Sequence, residues 1–505
     1  MHSPATPSAR LGDIPIVWLS GLLLVFVLPR LTIAILAPGS GGDWGEAYSL
    51  VAANILQHGC ISQSDPTTGD CAPSWGGNQP PGFAALAALA WRFFPGSDSA
   101  VLVTQILLLG ACYLVFVWGF SQLVKSMPIT IVTGIVLAIS PQQIGWSRML
   151  QTETATLGSV YLLFGVLFLS AARGRAYVFG LAAALTAAAA IRFDSVLLIP
   201  VVVVGVLLLE GYRSGFRRLI LIGLVAAIPL TLWSARNVMA SLPILPKPYF
   251  SKDYPPPVGL LAWGNDWTTN QYQYPDWNYP LVRARYAQMT INSLEVVDAQ
   301  ERSEVLSLLK DLEAYVGQPV PRSIDNAFAR LAERNRIDHP LRYWLVHPLL
   351  RAWNMWFNPQ NSTGWPVGIG AAALSEFGGM RPIEKTLSIV WAYPVAAAVK
   401  LGCAIYRLAL LIAFGACVVW LLRRRRLDAL SFIATLAGIF ALGKTIFLIY
   451  FPLVETRYII PTIPMLEAAV IVIGSFAVRA ARSSTGTNSA SVLDLGVAAT
   501  KSVKR

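Results

Sequence analysis

Apolar runs of about 20 residues recur along this chain from one end to the other, and each is long enough to cross a bilayer as a helix. The 505 residues are 55% hydrophobic and 13% charged, about half the charged share of an average soluble protein. Inside a bilayer, backbone polar groups must be satisfied within the protein, which favours helices. The sequence therefore predicts an all-α polytopic membrane protein.

We expect about ten membrane spans, at residues 14–37, 99–119, 128–146, 153–171, 176–191, 195–209, 219–235, 401–422, 429–449 and 459–478. Residues 82–95 and 386–400 are also apolar and are predicted to be interfacial helices. The first span is not a convincing signal peptide, because it is long and contains Pro29 and Arg30.

The spans divide the chain into four predicted regions. Residues 1–235 form an N-terminal membrane module of seven spans, with a first outer loop at 38–98. Residues 236–400 form a mixed extracytoplasmic segment, and residues 401–478 form a C-terminal module of three spans. Residues 479–505 are rich in Ser, Ala and Thr and are predicted to be a disordered cytoplasmic tail.

Positive charge predicts which side of the membrane each loop faces. With both termini in the cytoplasm, the cytoplasmic segments carry sixteen basic residues and four acids, an excess equal to the net charge of +12 of the whole chain. Basic residues concentrate on the cytoplasmic side of membrane proteins. The high pI of about 9.6 therefore reflects topology and not nucleic-acid binding. The cytoplasmic loops are too short for a nucleotide-binding domain, so we expect any chemistry at the outer face.

Two of the five cysteines, Cys60 and Cys71, lie in the first outer loop. A pair in an oxidising compartment is a disulfide candidate. Two unpaired thiols are the alternative, and metal binding by two cysteines without a nearby histidine is less favoured. Cys112, Cys403 and Cys417 fall inside predicted spans and are expected to be small core residues.

Charged residues cluster near the outer ends of the spans. Such residues are costly at membrane depth, which makes each a candidate for function. The acids are Asp43, Glu46, Glu153, Asp194 and Glu455; the bases are Arg30, Arg148, Arg192, Arg236, Lys444 and Arg457. A ring of cations suits a phosphate at the membrane surface. The alternatives are structural: Arg30 could snorkel to the interface, Arg192 could pair with Asp194, and Arg457 with Glu455.

The second outer segment begins with a stretch over 243–280 that is rich in Pro, Trp and Tyr and is predicted to be neither a regular helix nor a central strand. Its aromatic residues favour either sugar stacking or an aromatic belt at the headgroups. Residues 292–336 show helical periodicity. The stretch "HPLRYWLVHPLLRAWNMWF" predicts an interfacial helix with apolar positions Leu341, Trp344, Leu345, Trp353, Trp356 and Phe357. His339 and His347 are predicted to be ordinary polar positions, with a zinc pair as the alternative.

Several short motifs resemble those of GT-C-type integral membrane glycosyltransferases, close to the protein O-mannosyltransferase family and the lipid A aminoarabinose transferases. In chain order they are "GGDWGEAYSLVAANILQHG", "NQPPGFAALAALAWRFFPG", "SPQQIGWSRMLQTET", "AAIRFDSVLLIP", "LWSARNV", "AFARLAERNRIDHPLRYW" and "VETRYIIPTIP". Each motif has two to four matching residues. Together they cover nearly the whole chain, in the family's order and on the expected side of the membrane.

The resemblance implies transfer of a hexosyl or pentosyl group from a polyprenyl-phosphate donor to an envelope lipid, glycan or protein acceptor. It implies that Asp43 is the catalytic acidic residue, whose carboxylate takes part in the reaction. Glu153 is its companion. Glu46 is a third candidate, although Trp44 and Gly45 separate it from Asp43, whereas the mannosyltransferases carry adjacent acids. Direct displacement at the anomeric carbon would use Asp43 as the base.

The candidate residues for binding substrate or phosphate are Arg148, Arg192, Asp194, Arg236, Lys444, Arg457 and Tyr458. A divalent cation bridging Asp43, Glu153 and the phosphate is an alternative that the spacing neither requires nor excludes. The expected setting is the bacterial inner membrane, in contact with membrane lipid, with an extracytoplasmic site and a monomeric protein. The rival hypotheses are a lipid-linked glycan flippase, disfavoured by the lack of matching repeats, and a non-catalytic membrane partner.

Overall fold

A computed structural model describes residues 14–40, 44, 48–74, 80–242, 257–270, 281, 286, 289, 299–358, 382–425, 428–450 and 454–485. The elements of the N-terminal half are α1 Ile16–Leu36, β1 Gly39–Ser40, α2 Ser49–His58, α3 Gly82–Phe93, α4 Asp98–Val124, α5 Met127–Ile139, α6 Pro141–Ile144, β2 Met149–Leu150, α7 Thr152–Arg173, α8 Val178–Ile191 and α9 Leu198–Met239. Those of the C-terminal half are α10 Val258–Trp267, α11 Ala299–Glu313, α12 Arg322–Asp338, α13 His347–Phe357, α14 Pro382–Ala392, α15 Pro394–Arg424, α16 Ala429–Tyr450 and α17 Ile463–Thr485.

The described residues confirm an all-α polytopic membrane fold. Among them, seven helices are long and apolar enough to cross a membrane, and an eighth span results if the bent pair Met127–Ile139 and Pro141–Arg148 is counted as one. The strands are limited to two residues each, with Gly39 opposite Met149 and Ser40 opposite Leu150 in parallel register.

The expected total of ten spans differs from this count for two reasons. Helix α8 has 14 residues, a length of about 21 Å that is shorter than the ~30 Å hydrocarbon core. The predicted spans 195–209 and 219–235 are counted as one in this count, although they lie in two helical pieces of α9 on either side of Gly211, where φ is 72° and ψ is 176°. The predicted interfacial helix at 386–400 is also wrong in its bounds, because α14 ends at Ala392 and α15 begins at Pro394.

Contacts divide the chain into two compact units. Unit one comprises residues 1–244, 409–442 and 460–505, and unit two comprises residues 245–408 and 443–459. In unit one, α4 and α7 pack at close range. A Cβ on Gly119 would lie 2.3 Å from the Gly165 carbonyl oxygen, so only glycine permits this approach. Aromatic rings fill the adjoining core, with Phe26 stacked on Tyr113 at a centroid distance of 4.0 Å.

Arg30 of α1 is fully buried in unit one, with 0% exposure. Its Nη1 donates to the carbonyl oxygens of Phe26 and Ala138, each at 2.7 Å, and its Nη2 donates to that of Leu137 at 3.4 Å. The alternative that Arg30 snorkels to the interface is therefore wrong. The side chain instead turns inward, because these carbonyls at the end of α5 offer acceptors inside the bundle.

Unit two contains its own core beneath α10, α11 and α12, centred on Trp263, Trp267 and Phe328. Helix α10 contradicts the expectation that the aromatic stretch is not a regular helix. The prolines at 255–257 precede α10, with Pro257 at its N-cap, so they favour the start of a helix without interrupting it. The periodicity over 292–336 corresponds to two helices, α11 and α12, and Val305, Leu309 and Leu312 are buried as the pattern predicts.

Helix α13 follows a π-helical turn, Arg342–Val346. Four of the six apolar positions predicted to face the membrane interface are exposed: Leu341, Trp344, Leu345 and Trp353. Trp356 is buried, with 4% exposure, and its Nε1 donates to Thr445 Oγ1 at 3.1 Å. Trp356 therefore packs inside unit two and does not face the membrane interface.

Candidate functional site

A buried group of ionised side chains forms where α7 begins and α8 ends. Gln151 is extended, with φ −149° and ψ 168°, so that α7 begins at Thr152 and places Glu153 in its first turn. Arg192 ends α8 in an extended conformation and leads into the 3₁₀ turn Phe193–Leu197, which carries Asp194. The two helix termini thus contribute the three charged side chains of one cluster.

The Arg192 guanidinium lies between the two carboxylates. Its Nε donates to Asp194 Oδ1 at 2.9 Å, and its Nη1 donates to Glu153 Oε1 at 3.2 Å and to Thr152 Oγ1 at 3.0 Å. The side chains of Arg192 and Glu153 are each 8% exposed and that of Asp194 is 10% exposed. The pairing of Arg192 with Asp194 that the sequence offered as an alternative is present, and Glu153 joins it.

This cluster, which we call the Arg192 cluster (Glu153, Arg192 and Asp194), holds two formal negative charges and one positive charge. Its members therefore sum to −1 when all are ionised. An anionic phosphate gains less from such a cluster than from a lone guanidinium, because the carboxylates oppose it. In this arrangement Arg192 fixes the orientation of the Glu153 side chain. Glu153 lies in the first turn of α7, where an acidic side chain interacts favourably with the helix dipole.

Arg148 lies beside the exit of α1 in the same unit. Its Nη1 donates to the Ala37 carbonyl oxygen at 3.1 Å. The next residue, Met149, pairs with Gly39 in the two-stranded ladder. Gln105 Nε2 of α4 donates to the carbonyl oxygens of Ser147 at 3.3 Å and Met149 at 3.0 Å. The short segment 145–150 is thus bound on one side to α4 and on the other to the end of α1.

Asp43 and Glu46, the first-loop acids that the sequence singles out, lie outside the described residues. Two aromatic residues of the same motif are described, and both are buried. Trp44 is 5% exposed and its Nε1 donates to Asp98 Oδ2 at 3.2 Å. Tyr48 is 2% exposed and meets the Phe83 ring edge-on at a centroid distance of 5.2 Å. These contacts attach the motif to α3 and to the start of α4.

Arg236, near the end of α9, contacts the cysteine loop of the first outer segment. Its Nη1 donates to the Ser74 carbonyl oxygen at 2.7 Å and its Nη2 to that of Ile61 at 2.9 Å. Cys60 and Cys71 are joined in a disulfide, with Cα atoms 6.3 Å apart. The carbonyl acceptors are neutral, so these two bonds do not offset the positive charge of Arg236.

Lys444, Arg457 and Tyr458 belong to unit two. Arg457 Nε lies 2.6 Å from Glu455 Oε2, the structural pairing offered by the sequence as an alternative. Arg457 Nη2 also lies 3.2 Å from the Tyr458 hydroxyl oxygen. Lys444 is buried within α16, with 3% exposure. Their assignment to substrate binding stays a prediction.

Within the described ranges, sequence reasoning missed several buried ionisable residues, three of which are Glu467, Arg407 and Arg351. Glu467 lies in α17 with 2% exposure, Arg407 lies in α15 with 1%, and Arg351 lies in α13 with 6%. The Arg407 Nε donates to the Trp356 carbonyl oxygen. Glu467 and Arg407 stand inside the predicted spans 459–478 and 401–422, and a charge inside a span is the signal that could have identified them.

Arg351 donates to backbone carbonyl groups of unit two. Its Nε donates to the Thr268 carbonyl oxygen at 2.7 Å, and its Nη1 to that of Ile449 at 2.8 Å. No group of three or more His, Cys, Asp or Glu side chains suited to hold a metal ion forms within the described ranges. The alternative of a divalent cation bridging Asp43, Glu153 and the phosphate stays open, since Asp43 lies outside those ranges.

Two solved structures are similar to this chain. One is ArnT from Cupriavidus metallidurans bound to undecaprenyl phosphate, with 13% identity, a TM-score of 0.35, and coverage of 92% of this chain and 79% of that one. The other is ArnT from the same organism in the apo state, with 12% identity, a TM-score of 0.34, and coverage of 90% and 77%. ArnT is a lipid A aminoarabinose transferase. The chain matches no family model, and no curated protein matches it in sequence.

Proposed function

We propose that this protein is a membrane glycosyltransferase that moves a sugar from a polyprenyl-phosphate-linked donor to an envelope lipid, glycan or protein acceptor. The observation that carries the proposal is the Arg192 cluster, a buried set of ionisable groups at helix ends in a multi-span chain. Ionisable residues buried within a membrane protein commonly mark a functional site. The family-like motifs "SPQQIGWSRMLQTET" and "AAIRFDSVLLIP" contain all three residues of the cluster. We place the site on the extracytoplasmic face of the inner membrane.

The proposed reaction is a single displacement at the anomeric carbon of the donor sugar. The acceptor hydroxyl or amine gives its proton to the Asp43 carboxylate as its oxygen or nitrogen bonds to that carbon. The bond from the anomeric carbon to the phosphate oxygen breaks, and the polyprenyl phosphate leaves with the electron pair. A phosphate leaving group needs no proton, so one basic carboxylate is sufficient.

Glu153 has a supporting role in this scheme. Arg192 holds it in a fixed orientation, with a geometry that both carboxylates and Thr152 define. We assign Glu153 to orient the acceptor or a group bound near it, and we treat Arg192 as its positioning residue. This assignment rests on the bond from Arg192 Nη1 to Glu153 Oε1 at 3.2 Å.

Stabilisation of the leaving phosphate in unit one falls to cations outside that cluster. Arg236 is the better-supported candidate, because its described guanidinium bonds are to neutral oxygens. Arg148 is the second candidate in this unit. Preorganised cations near a developing negative charge contribute strongly to catalysis in a water-poor site.

The decisive test is a transfer assay with the purified protein, a polyprenyl-phosphate sugar and envelope acceptors. Asp43→Asn keeps the shape of the side chain and its ability to cap a helix but removes the base. We expect transfer to fall about 100-fold or more, in keeping with loss of a general base, with an unchanged thermal unfolding midpoint. Glu46→Gln is the matched control and should lose distinctly less.

Two results would count against the proposal. Near-parental transfer by a folded, membrane-inserted Asp43→Asn protein would show that the base lies elsewhere. Movement of the lipid-linked sugar across vesicles without any transfer would favour the flippase hypothesis.

A further inference from the structure

The membrane core of unit one contains a break between α5 and α6, at Ser140 and Pro141. The two helical pieces Met127–Ile139 and Pro141–Arg148 are bent by 46°. Pro141 has no N–H to bond the Leu137 carbonyl four residues earlier, and the bend separates the neighbouring peptide groups. A break inside lipid leaves carbonyl groups on one side and N–H groups on the other that must be satisfied by the protein.

Arg30 supplies hydrogen-bond donors to the α5 side of this break. Its guanidinium donates to the carbonyl oxygens of Leu137 and Ala138, the last turn of α5. A positive charge at a helix C-terminus also interacts favourably with the peptide dipoles. Arg30 therefore supplies the donors that the proline and the bend remove.

Glu467 of α17 accepts hydrogen bonds from the α6 side of the break. Its Oε1 accepts from Ser140 Oγ at 3.3 Å and its Oε2 accepts from Gln143 Nε2 at 3.4 Å. Gln143 in turn accepts a bond from the Tyr161 hydroxyl of α7 at 2.7 Å. A negative charge near the first residues of α6 and a positive charge at the end of α5 match the charges that the two helix ends present.

The residues that follow α6 belong to the candidate site. The turn Gly145–Arg148 follows α6 directly, and β2 and the start of α7 come next. Thr154 Oγ1 of α7 donates to the Trp146 carbonyl oxygen at 3.1 Å. A shift of α6 would therefore move Arg148, the pairing of β1 with β2, and the chain that enters α7 just before Glu153.

We infer that Arg30 and Glu467 are positioning residues that hold the helix break at Ser140–Pro141, and through it hold segment 145–150 in the place that the site requires. The effect on catalysis rests on the proposed function, whereas the effect on the segment does not. Neither residue touches a reacting group in this scheme.

The segment can be monitored by a cysteine pair at Gly39 and Met149, which face each other in the parallel register. Adjacent strands lie about 4.8 Å apart, within the range of Cα separations that a disulfide accepts. The native Cys60–Cys71 pair is already oxidised, and the other three cysteines are buried. The rate of oxidative cross-linking, read by mass spectrometry of non-reduced peptides, therefore reports how often the segment is in its place.

Arg30→Met keeps the side-chain length and removes the charge and donors. We expect its cross-linking rate to fall about tenfold or more, because charge-assisted hydrogen bonds to two carbonyls are lost. Arg30→Lys should recover part of the rate, since an ammonium can bond at least one carbonyl. In the same proteins without the cysteine pair, we expect kcat/KM to fall by about 100-fold for Arg30→Met, as misplacement by ~1 Å can cause, and to recover partly for Arg30→Lys.

Arg407→Met is the matched control, because it removes an equally buried arginine that also donates to a backbone carbonyl, but in unit two. It should leave cross-linking at the parental rate. If Arg30→Met fails to fold, Glu467→Gln and Ser140→Ala test the other side of the break by the same two measurements.

Parental cross-linking in folded Arg30→Met and Glu467→Gln proteins would overturn the inference. Reduced cross-linking with parental kcat/KM would overturn its link to catalysis. A parent protein that transfers no sugar at all would refute the proposed function, and the cross-linking rates would still decide whether Arg30 and Glu467 position the segment.

Discussion

At the scale of single residues, most buried arginines of this protein bind backbone carbonyl groups. Arg30, Arg351 and Arg407 each donate to carbonyl oxygens, and the half-buried Arg236 does the same. Arg192 differs, because its guanidinium lies between two carboxylates. The planar fork of arginine suits both uses, and lysine reproduces neither well.

We predict that Arg192→Ala lowers the free energy of unfolding by about 3–5 kcal/mol, because it removes a cation that bonds two buried carboxylates. Thermal unfolding of the detergent-solubilised protein measures the effect. Arg334→Ala is the control, since Arg334 and Glu304 form an ion pair whose side chains are 42% and 45% exposed. Such exposed pairs contribute about 0–1 kcal/mol. Equal, small effects of the two substitutions would contradict the view of the Arg192 cluster as a tightly coupled buried group.

The second residue-scale prediction concerns acid sensitivity through His347. Burial lowers the pKa of this imidazole below its usual value, and the nearby cations Arg342 and Arg351 lower it further, while the bond to the Asp266 carbonyl opposes them. His347 Nδ1 lies 2.7 Å from that carbonyl oxygen, and Arg342 Nε donates to Nε2 at 3.3 Å. Both bonds fit a neutral ring protonated on Nδ1.

Since the folded-state pKa of His347 is depressed, its contribution to stability is present above about pH 6.5, the unfolded value, and is lost as the pH falls below it. We expect the thermal midpoint to decrease between pH 7 and pH 5, and His347→Gln to reduce that decrease. His339→Gln alters an exposed histidine and should leave the slope as it is. A parental slope in His347→Gln would assign the acid sensitivity to another group.

At the scale of elements, Gly211 interrupts the helical backbone of α9. Its φ of 72° and ψ of 176° fall in a region open essentially to glycine alone. We predict that Gly211→Ala lowers the free energy of unfolding by about 1–3 kcal/mol, measured by thermal unfolding. Gly223→Ala is the matched control in the same element. A Cβ at either position meets open space, so only backbone strain separates the two.

Gly223→Ala should be neutral or slightly stabilising, because alanine favours a helix over glycine by up to about 1 kcal/mol. If Gly211→Ala proves as stable as Gly223→Ala, the positive φ at Gly211 is not an obligatory feature of α9.

Most of the long apolar helices were predictable from the sequence, because apolar runs of span length are a strong local signal. The break in the predicted span 128–146 was also signalled, by Pro141 within it. Helix α10 was not predicted, because the sequence does not distinguish prolines that precede a helix, as those at 255–257 do, from prolines that interrupt one. The Arg192 cluster was predicted in part, since Arg192 and Asp194 are close in sequence. The partners of Arg30 were not, because Leu137 and Ala138 are more than a hundred residues away and no local pattern encodes such a contact.

At the scale of the whole molecule, the positive charge of the chain predicts its orientation. Arg423, Arg424, Arg425 and Arg426 stand between two of the predicted C-terminal spans, where a cytoplasmic loop is expected. We predict that a reporter fused at Asn265 is active only on the extracytoplasmic side, and that one fused after Arg426 is active only in the cytoplasm. Paired alkaline phosphatase and fluorescent protein fusions at both positions provide the measurement. A reversed result at either position would remove the proposed sidedness, and with it the extracytoplasmic site.

The fully buried Arg30 also has a consequence for how the protein is made. The Ala138 carbonyl that it binds is 108 residues further along the chain, and a ribosome adds about 5–20 residues per second. For about 5 to 20 seconds, α1 must therefore reside at the translocon or in lipid with a cation that has no α5 to bind. An arginine at the centre of a span costs roughly 2.5–3.5 kcal/mol during insertion, and the surrounding leucine, isoleucine and valine side chains of α1 offset it. Membrane entry of the first helix thus depends on its own apolar residues, and the acceptors for its arginine arrive only with later synthesis.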